Sequence, residues 1–109
     1  MTIPLRFRGL EETEIHGTAV PVATSLPARL IGLALMRRKR ASHGLFIPNC
    51  RSVHTFGMLF RLDIAFLDAE RRVIELRRDV PPGRIVRNPD ADAVLELPSP
   101  DAVIELPTP

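Results

Sequence analysis

The sequence lacks the residues and motifs that mark several large protein classes. It contains a single cysteine, Cys50, which excludes an intrachain disulfide, and its three histidines are too scattered to form a zinc site with it. Tryptophan and tyrosine are absent, so the bases of a nucleic acid would find few aromatic rings to stack on. No apolar run approaches the ~20 residues of a membrane span, and no phosphate-binding glycine loop, EF-hand or metalloprotease motif occurs. A small soluble domain remains.

The composition that is present is typical of a globular domain. Of the 109 residues, 45% are hydrophobic and 26% are charged, and this length predicts one domain with one core. The first residues, MTIPLRFRGLEETE, contain no apolar stretch of the kind that a signal peptide needs. We therefore expect a cytoplasmic protein, and we expect neither a cofactor nor a metal.

Charge is distributed unevenly along the chain. Residues 1–61 contain nine Lys or Arg and three Glu, whereas residues 62–109 contain six Arg and ten Asp or Glu. The run Arg37–Arg40 is a candidate for weak nucleic-acid binding. A solvated helix end is the favoured alternative, because no aromatic residues are interleaved with these cations.

Eleven prolines divide the chain into short segments, which favours strands over long helices. One short helix is predicted near residues 25–37, with Thr24 or Ser25 as its cap and Pro27 in its first turn. The expected fold is mainly β (α+β). The predicted outer strands lie at Ile3–Arg8, Glu14–Val22, Gly44–Ile47 and a late segment that contains Ala93, Leu95 and Leu97.

Alternating apolar residues predict the central strands. Residues 62–80 are predicted to form a hairpin, with a turn at residues 68–71. In its second strand we expect Ile74, Leu76 and Val80 to face inward and the residues between them to face outward. Just before the hairpin, one strand face is expected to carry His54, Phe56, Met58 and Phe60.

The C-terminus contains a tandem repeat. DAVLELPSP at residues 92–100 is followed by DAVIELPTP at residues 101–109. Two copies of nine residues are too short to form a solenoid, so we interpret the second copy as a duplication. We therefore expect one β-rich domain over residues 1–98 and an acidic, proline-containing tail over residues 99–109.

The polar segment 49–55 is the strongest candidate site. Arg51 supplies a planar guanidinium, and Ser52, His54 and Thr55 add donors, so the four side chains suit a small anion or a partner segment. The alternative is that the hydroxyl groups satisfy the backbone of a tight loop.

A catalytic interpretation is also open. His54 and Asp63 are predicted to lie on neighbouring strands, where a carboxylate oriented on an imidazole would serve a nucleophile such as Ser52 or Cys50. No glycine pattern of a nucleophile elbow surrounds either residue. The alternative for His54 is a partly buried, hydrogen-bonded histidine, and for Asp63 a carboxylate that accepts backbone hydrogen bonds.

The stretch GLFIPNCRSVHTFGMLFRLDIAFLD, residues 44–68, resembles the centre of a small prokaryotic family catalogued as domain of unknown function 192. The resemblance is carried most specifically by Cys50–Met58, and Ala93–Pro98 is similar to the family's closing strand. It covers roughly residues 16–98 and implies a small β-sandwich or barrel with a helix. It implies no activity, since none is assigned to the family.

One departure from the family pattern concerns a turn. Arg71 stands where the family usually has glycine in the hairpin, so a left-handed conformation there costs about 1–2 kcal/mol. On this ground alone, Arg71→Gly is expected to stabilise the fold.

The leading hypothesis is a non-catalytic binding or scaffold module that uses the polar segment 49–55. A small hydrolase-like enzyme using His54 and Asp63 is the first alternative, and a weak nucleic-acid binder using Arg37–Arg40 is the second.

Overall fold

The structure, a computed structural model, describes residues 12–23 and 44–100 of the chain. All regular elements within these residues are strands, so the mainly β fold expected from the sequence is confirmed. In chain order they are β1 (Glu12–Ile15), β2 (Thr18–Pro21), β3 (Leu45–Pro48), β4 (Ser52–His54), β5 (Leu62–Leu67), β6 (Val73–Val80), β7 (Ile85–Arg87) and β8 (Ala93–Pro98).

Four predicted features lie outside the described residues: the helix near residues 25–37, the strand at Ile3–Arg8, the run Arg37–Arg40 and the second repeat at 101–109. Neither described segment contains a helix with the length and hydropathy needed to traverse a lipid bilayer.

A four-stranded antiparallel sheet forms the centre of the fold, with the strand order β3-β8-β5-β6. The predicted late strand is confirmed as β8, and the predicted strand at Gly44–Ile47 corresponds to β3. β8 pairs with β3 along one edge and with β5 along the other, and its residues enter both cores: Val94 lies in the first core, whereas Ala93 and Leu95 lie in the second. This position explains the nearly continuous apolar run of the strand.

A two-stranded ribbon covers each face of the central sheet, so the described residues form a sandwich of three layers. The β4–β7 ribbon covers one face and encloses the first core, to which Cys50 and Phe60 add partly buried side chains. The β1–β2 hairpin covers the other face and encloses the second core. The first core contains Ala23, Leu45, Ile47, Val53, Met58, Leu62, Ile64, Phe66, Val80, Val86, Ala91 and Val94. The second contains Ile15, Val20, Val22, Phe46, Ala65, Leu67, Ala93 and Leu95.

The single strand predicted over Glu14–Val22 is wrong, because the chain reverses inside it. His16 and Gly17 both have positive φ angles, 50° and 86°, and separate β1 from β2. A two-residue turn with positive φ at both positions matches the twist of the strands that it joins. Two strands therefore cover the second core where the sequence predicted one.

The predicted hairpin over residues 62–80 is confirmed as β5 and β6. Its turn is organised by Asp68, whose carboxylate accepts the backbone N–H groups of Glu70 and Arg72 at 2.9 Å each. The hydrogen bond from the Arg72 backbone is the largest cause that lowers the pKa of this carboxyl below its usual value. Arg71 has a φ of 64°, as expected for a position that usually holds glycine.

The predicted orientation of β6 is right for Val80, which is buried in the first core, and wrong for Ile74 and Leu76. Ile74 and Leu76 are 42% and 45% exposed, whereas Glu75 is half-buried. Register shifts near both ends of the β5–β6 pairing insert extra residues into β6 and break the simple alternation. Since β6 is an edge strand of the sheet, these irregularities and its charges also protect the edge from pairing with another chain.

The predicted strand face of His54, Phe56, Met58 and Phe60 is also wrong. β4 ends at His54, and the chain continues through a turn and an irregular segment to β5. Phe56 is 51% exposed, whereas Met58 is buried in the first core. The apolar residues at every second position belong to a loop and not to a strand. In this loop Met58 is buried, Phe60 is half-buried, and Phe56 and Leu59 are exposed.

Candidate functional site

The polar segment 49–55 leads from β3 into β4 and is held by backbone hydrogen bonds. The N–H of Cys50 donates to the carbonyl of Asp92 at 3.3 Å, and the N–H of Asn88 donates to the carbonyl of Arg51 at 2.9 Å. These bonds connect residues 49–55 to the loop between β7 and β8. They fix the backbone from which the polar side chains of residues 49–55 extend.

The β4–β7 ribbon separates the polar residues from the core. Val53 pairs with Val86, and both side chains are buried in the first core. The neighbouring positions therefore point away from the core, since side chains alternate along a strand. We call this outer surface the ribbon face; it consists of Ser52 opposite Arg87 and His54 opposite Ile85.

Three arginines lie on the ribbon face or directly before one of its two strands. Arg51 precedes Ser52, Arg84 precedes Ile85, and Arg87 lies on the face itself; all three residues are exposed. None of their guanidinium groups forms a hydrogen bond or an ion pair with the described residues, whereas Arg72 pairs with Asp68 at 2.9 Å. These three guanidinium groups can therefore serve as cationic donors to an anion, because no carboxylate of the described residues pairs with them.

His54 is oriented within this surface. Its Nδ1 accepts the backbone N–H of Phe56 at 3.2 Å, which places the proton of the neutral ring on Nε2. Its ring stacks on that of Phe56, with the centroids 5.6 Å apart. The turn after β4 therefore sets the orientation of the imidazole.

Thr55, another predicted binding residue, is fully buried and has a structural role. Its hydroxyl donates to the carbonyl of Pro81 and accepts the N–H of Arg84, each at 2.8 Å. Its carbonyl also accepts the N–H groups of Met58 and Gly83. Thr55 thus fixes the end of β4 against the loop before β7 and positions the ribbon face from beneath.

The structure does not join the predicted catalytic pair. Asp63 Oδ1 accepts the N–H of Asp79 at 3.0 Å and the hydroxyl of Ser99 at 2.7 Å, and its Oδ2 lies 3.9 Å from Arg78. Among the described residues, no hydrogen bond connects His54 to Asp63. The carboxylate supports the irregular end of β6, as the structural alternative for this residue predicts.

Cys50 and the acidic residues provide no metal centre. The thiol of Cys50 donates to the carbonyl of Ser52 at 3.3 Å, and the side chain packs against the first core. Over residues 12–23 and 44–100, no group of three His, Cys, Asp or Glu side chains is arranged to hold a metal ion.

Glu96 is a candidate functional residue that the sequence analysis missed. It is only 2% exposed, and its Oε1 has no hydrogen-bond partner. Burial raises the pKa of this carboxyl from its ordinary value of 4.5 to about 7. The sequence analysis named only Ala93, Leu95 and Leu97 in this strand, whereas the residues of β8 enter both cores. The run Ala-Val-Leu-Glu-Leu, apolar at four of its five positions, was the signal that pointed to a fully buried strand.

Comparisons with known proteins support the same fold. The family model for DUF192, described as an uncharacterized ACR, matches residues 9–104. A crystal structure of a protein from Sinorhizobium meliloti 1021, proposed to be a transcription regulator, is 21% identical and covers 77% of this chain and 70% of its own, with a TM-score of 0.65. A protein of unknown function from Novosphingobium aromaticivorans is 20% identical and covers 84% of this chain and 73% of its own, with a TM-score of 0.64. A search of curated proteins found no match.

Proposed function

The chain belongs to the DUF192 family of uncharacterised proteins, as the sequence resemblance indicated, and we propose its function from the geometry of the ribbon face. The proposal is a non-catalytic binding module that holds one small anionic group, a phosphate or a carboxylate, between Arg51 and Arg87. The observation that carries it is the set of exposed guanidinium groups beside Ser52 and His54 that lack an acidic partner among the described residues.

The chemistry of these side chains suits an oxyanion. A guanidinium presents parallel N–H donors that match two oxygens of a phosphate or carboxylate. Ser52 lies directly across the ribbon from Arg87, so its hydroxyl and the guanidinium reach the same space. The imidazole of His54 lies on the same face.

The size of the ribbon face favours a small ligand. β4 and β7 have three residues each, which gives a surface about 10 Å long and two strands about 5 Å apart. One phosphate or carboxylate group fills such a surface, whereas an extended polyanion needs a longer row of cations. Because the site is exposed, we expect its affinity to fall as the salt concentration rises.

The two alternatives have less support. The enzyme hypothesis needs Asp63 to orient His54, but Asp63 is engaged by Asp79 and Ser99. The nucleic-acid hypothesis rests on Arg37–Arg40, which lie outside the described residues. The likeness to the Sinorhizobium meliloti protein, proposed to be a transcription regulator, supports the fold alone at 21% identity. A cytoplasmic location is part of our proposal; the single cysteine supports it, since small extracellular domains commonly carry disulfides.

The experiment measures the binding of inorganic phosphate and of acetate by calorimetry at low salt. Arg51→Ala and Arg87→Ala are each expected to weaken binding roughly ten- to a hundred-fold, the range of one charge-assisted hydrogen bond. Arg72→Ala is the matched control, since it removes one exposed arginine that lies in the β5–β6 turn and is already paired with Asp68.

Three results would contradict the proposal. Equal binding by all variants would place the anion elsewhere. Binding of a short DNA duplex that is far tighter than binding of phosphate would favour the nucleic-acid hypothesis. Hydrolysis of p-nitrophenyl phosphate or p-nitrophenyl acetate that His54→Ala abolishes, while folding is retained, would favour the enzyme.

A further inference from the structure

Glu96 lies in the interior of the sandwich, away from the ribbon face. In the central sheet it pairs with Leu45 of β3 and with Ile64 of β5, and both of these residues belong to the first core. Val94, two positions earlier on the same face of β8, belongs to it as well. The carboxyl therefore enters an apolar layer from the middle strand of the sheet.

The carboxyl group of Glu96 lacks the partners that buried acids normally have. Its Oε1 is buried and accepts no hydrogen bond. Glu75 on the nearby strand β6 provides a contrast, because it is half-buried and its two oxygens contact Asn88 at 2.9 Å and Arg77 at 3.3 Å. A buried polar atom without a partner is rare in native proteins, and an unassigned water, ion or ligand is a common reason for one.

The loop between β4 and β5 covers the same core. Met58 is buried in the first core and Phe60 packs against it, whereas Phe56 and Leu59 of the same loop are 51% and 58% exposed. The loop is anchored at its start by the hydrogen bonds of Thr55. Phe56 and Leu59 leave this loop in contact with solvent on its outer side, and the route to Glu96 that we consider is a displacement of the loop.

We propose that Glu96 anchors the nitrogen of a small alkylamine, whose hydrocarbon part lies among the apolar side chains of the first core. A protonated amine supplies the N–H donor that Oε1 lacks and the positive charge that favours an ionised carboxylate. Leu45, Ile64 and Met58 supply apolar contacts for a short alkyl chain. The site is separate from the ribbon face and requires no anion there.

The test compares n-butylamine with 1-butanol, which has the same hydrocarbon chain and no positive charge. Binding is measured by the thermal shift and by NMR for the wild type, for Glu96→Gln and for the control Glu75→Gln. We expect n-butylamine to bind the wild type and Glu75→Gln, and to bind Glu96→Gln roughly ten- to a hundred-fold more weakly. 1-Butanol is expected to bind all three proteins weakly and equally.

Three results would overturn this inference. If n-butylamine does not bind the wild type, the carboxyl is satisfied by water or by its own proton. If n-butylamine and 1-butanol bind alike, or if Glu96→Gln binds the amine as tightly as the wild type does, the carboxyl does not recognise the charge.

A measurement on the wild type covers the case in which Glu96→Gln fails to fold. The carboxyl carbon of Glu96 is followed by ¹³C NMR as the pH is varied, with and without n-butylamine. The inference requires its pKa to fall when the amine is present, and an unchanged titration would overturn it. Neither outcome changes the phosphate binding expected of the Arg51 and Arg87 variants. A failure of this inference can therefore be distinguished from a failure of the proposed function.

Discussion

The guanidinium carbon of Arg71 lies 4.9 Å from the centre of the Phe46 ring, a cation–π contact that joins the β5–β6 turn to the second core. The same guanidinium donates to the hydroxyl of Thr13 at 2.6 Å and to the carbonyl of Glu14 at 3.2 Å. Arg71 thus connects the turn with the β1–β2 hairpin that covers the core.

These contacts reverse the effect expected of Arg71→Gly from the turn alone. Removing the left-handed strain at φ 64° gains about 1 kcal/mol, but the lost hydrogen bonds and cation–π contact cost about 2–3 kcal/mol. We expect a net loss of about 1–2 kcal/mol in chemical denaturation. Arg71→Asn, which tolerates the same φ and also removes the guanidinium, should lose a similar amount. A more stable Arg71→Gly protein would show that the contacts contribute little.

Met58 and Phe56 lie two residues apart in the loop before β5 but should differ in energetic importance. Met58→Ala removes a buried side chain from the first core and should lower the free energy of unfolding by about 2–5 kcal/mol. Phe56→Ala removes a ring that is 51% exposed, so its cost should stay below about 1.5 kcal/mol. Urea denaturation of both variants checks this, and equal losses would mean that the loop packs differently.

Asp63 should contribute to stability through its hydrogen bonds. Asp63→Ala leaves the N–H of Asp79 and the hydroxyl of Ser99 without their shared acceptor and should cost about 1–3 kcal/mol. Because one carboxylate serves both donors, Ser99→Ala should cost less in the Asp63→Ala background than in the wild type. Additive losses in this double-mutant cycle would contradict the shared role.

Glu96 predicts a pH dependence of stability with a definite sign. Its folded-state pKa of about 7 exceeds the ordinary value of 4.5, so between these pH values the folded protein holds a proton that the unfolded chain releases. Stability attributable to Glu96 is therefore complete below about pH 4.5 and is lost as the pH rises through 7. The total loss is up to about 3 kcal/mol.

Glu96→Gln separates this effect from other titrations. The variant should lose the downward slope in the free energy of unfolding between pH 5 and pH 7 while other groups titrate as before. An unchanged slope in the variant would show that Glu96 does not titrate in this range.

Local patterns predicted the fold well where apolar residues form a short run between turn signals. The β5–β6 hairpin and β8 were found because their apolar residues alternate or cluster between turn signals. The face of β6 was not predictable, because each register shift moves the following side chains to the other side and local alternation does not reveal it. The burial of Glu96 depends on the core that covers its face of β8, a tertiary feature that local alternation does not reveal.

The candidate site was predictable only in part. The polar residues Arg51, Ser52 and His54 were visible as a cluster, and the separation of Ser52 and His54 from the core follows from the alternation around Val53. Arg87 joins the site because it pairs with Ser52 across the ribbon, although the two residues are 35 positions apart in the chain. The structural role of Thr55 depends on Pro81 and Arg84, which are equally distant in sequence and are brought to it by the same ribbon.

Residue-resolved NMR of the wild type during a titration with inorganic phosphate tests the central claim most directly. The account predicts that the backbone amide signals of Arg51, Ser52, His54 and Arg87 shift together and saturate with one dissociation constant that increases with salt concentration. Signals of Glu70 and Arg72 in the β5–β6 turn should stay in place. Shifts that concentrate on that turn, or a spectrum that does not change at low salt, would contradict the assignment of the ribbon face as an anion-binding surface.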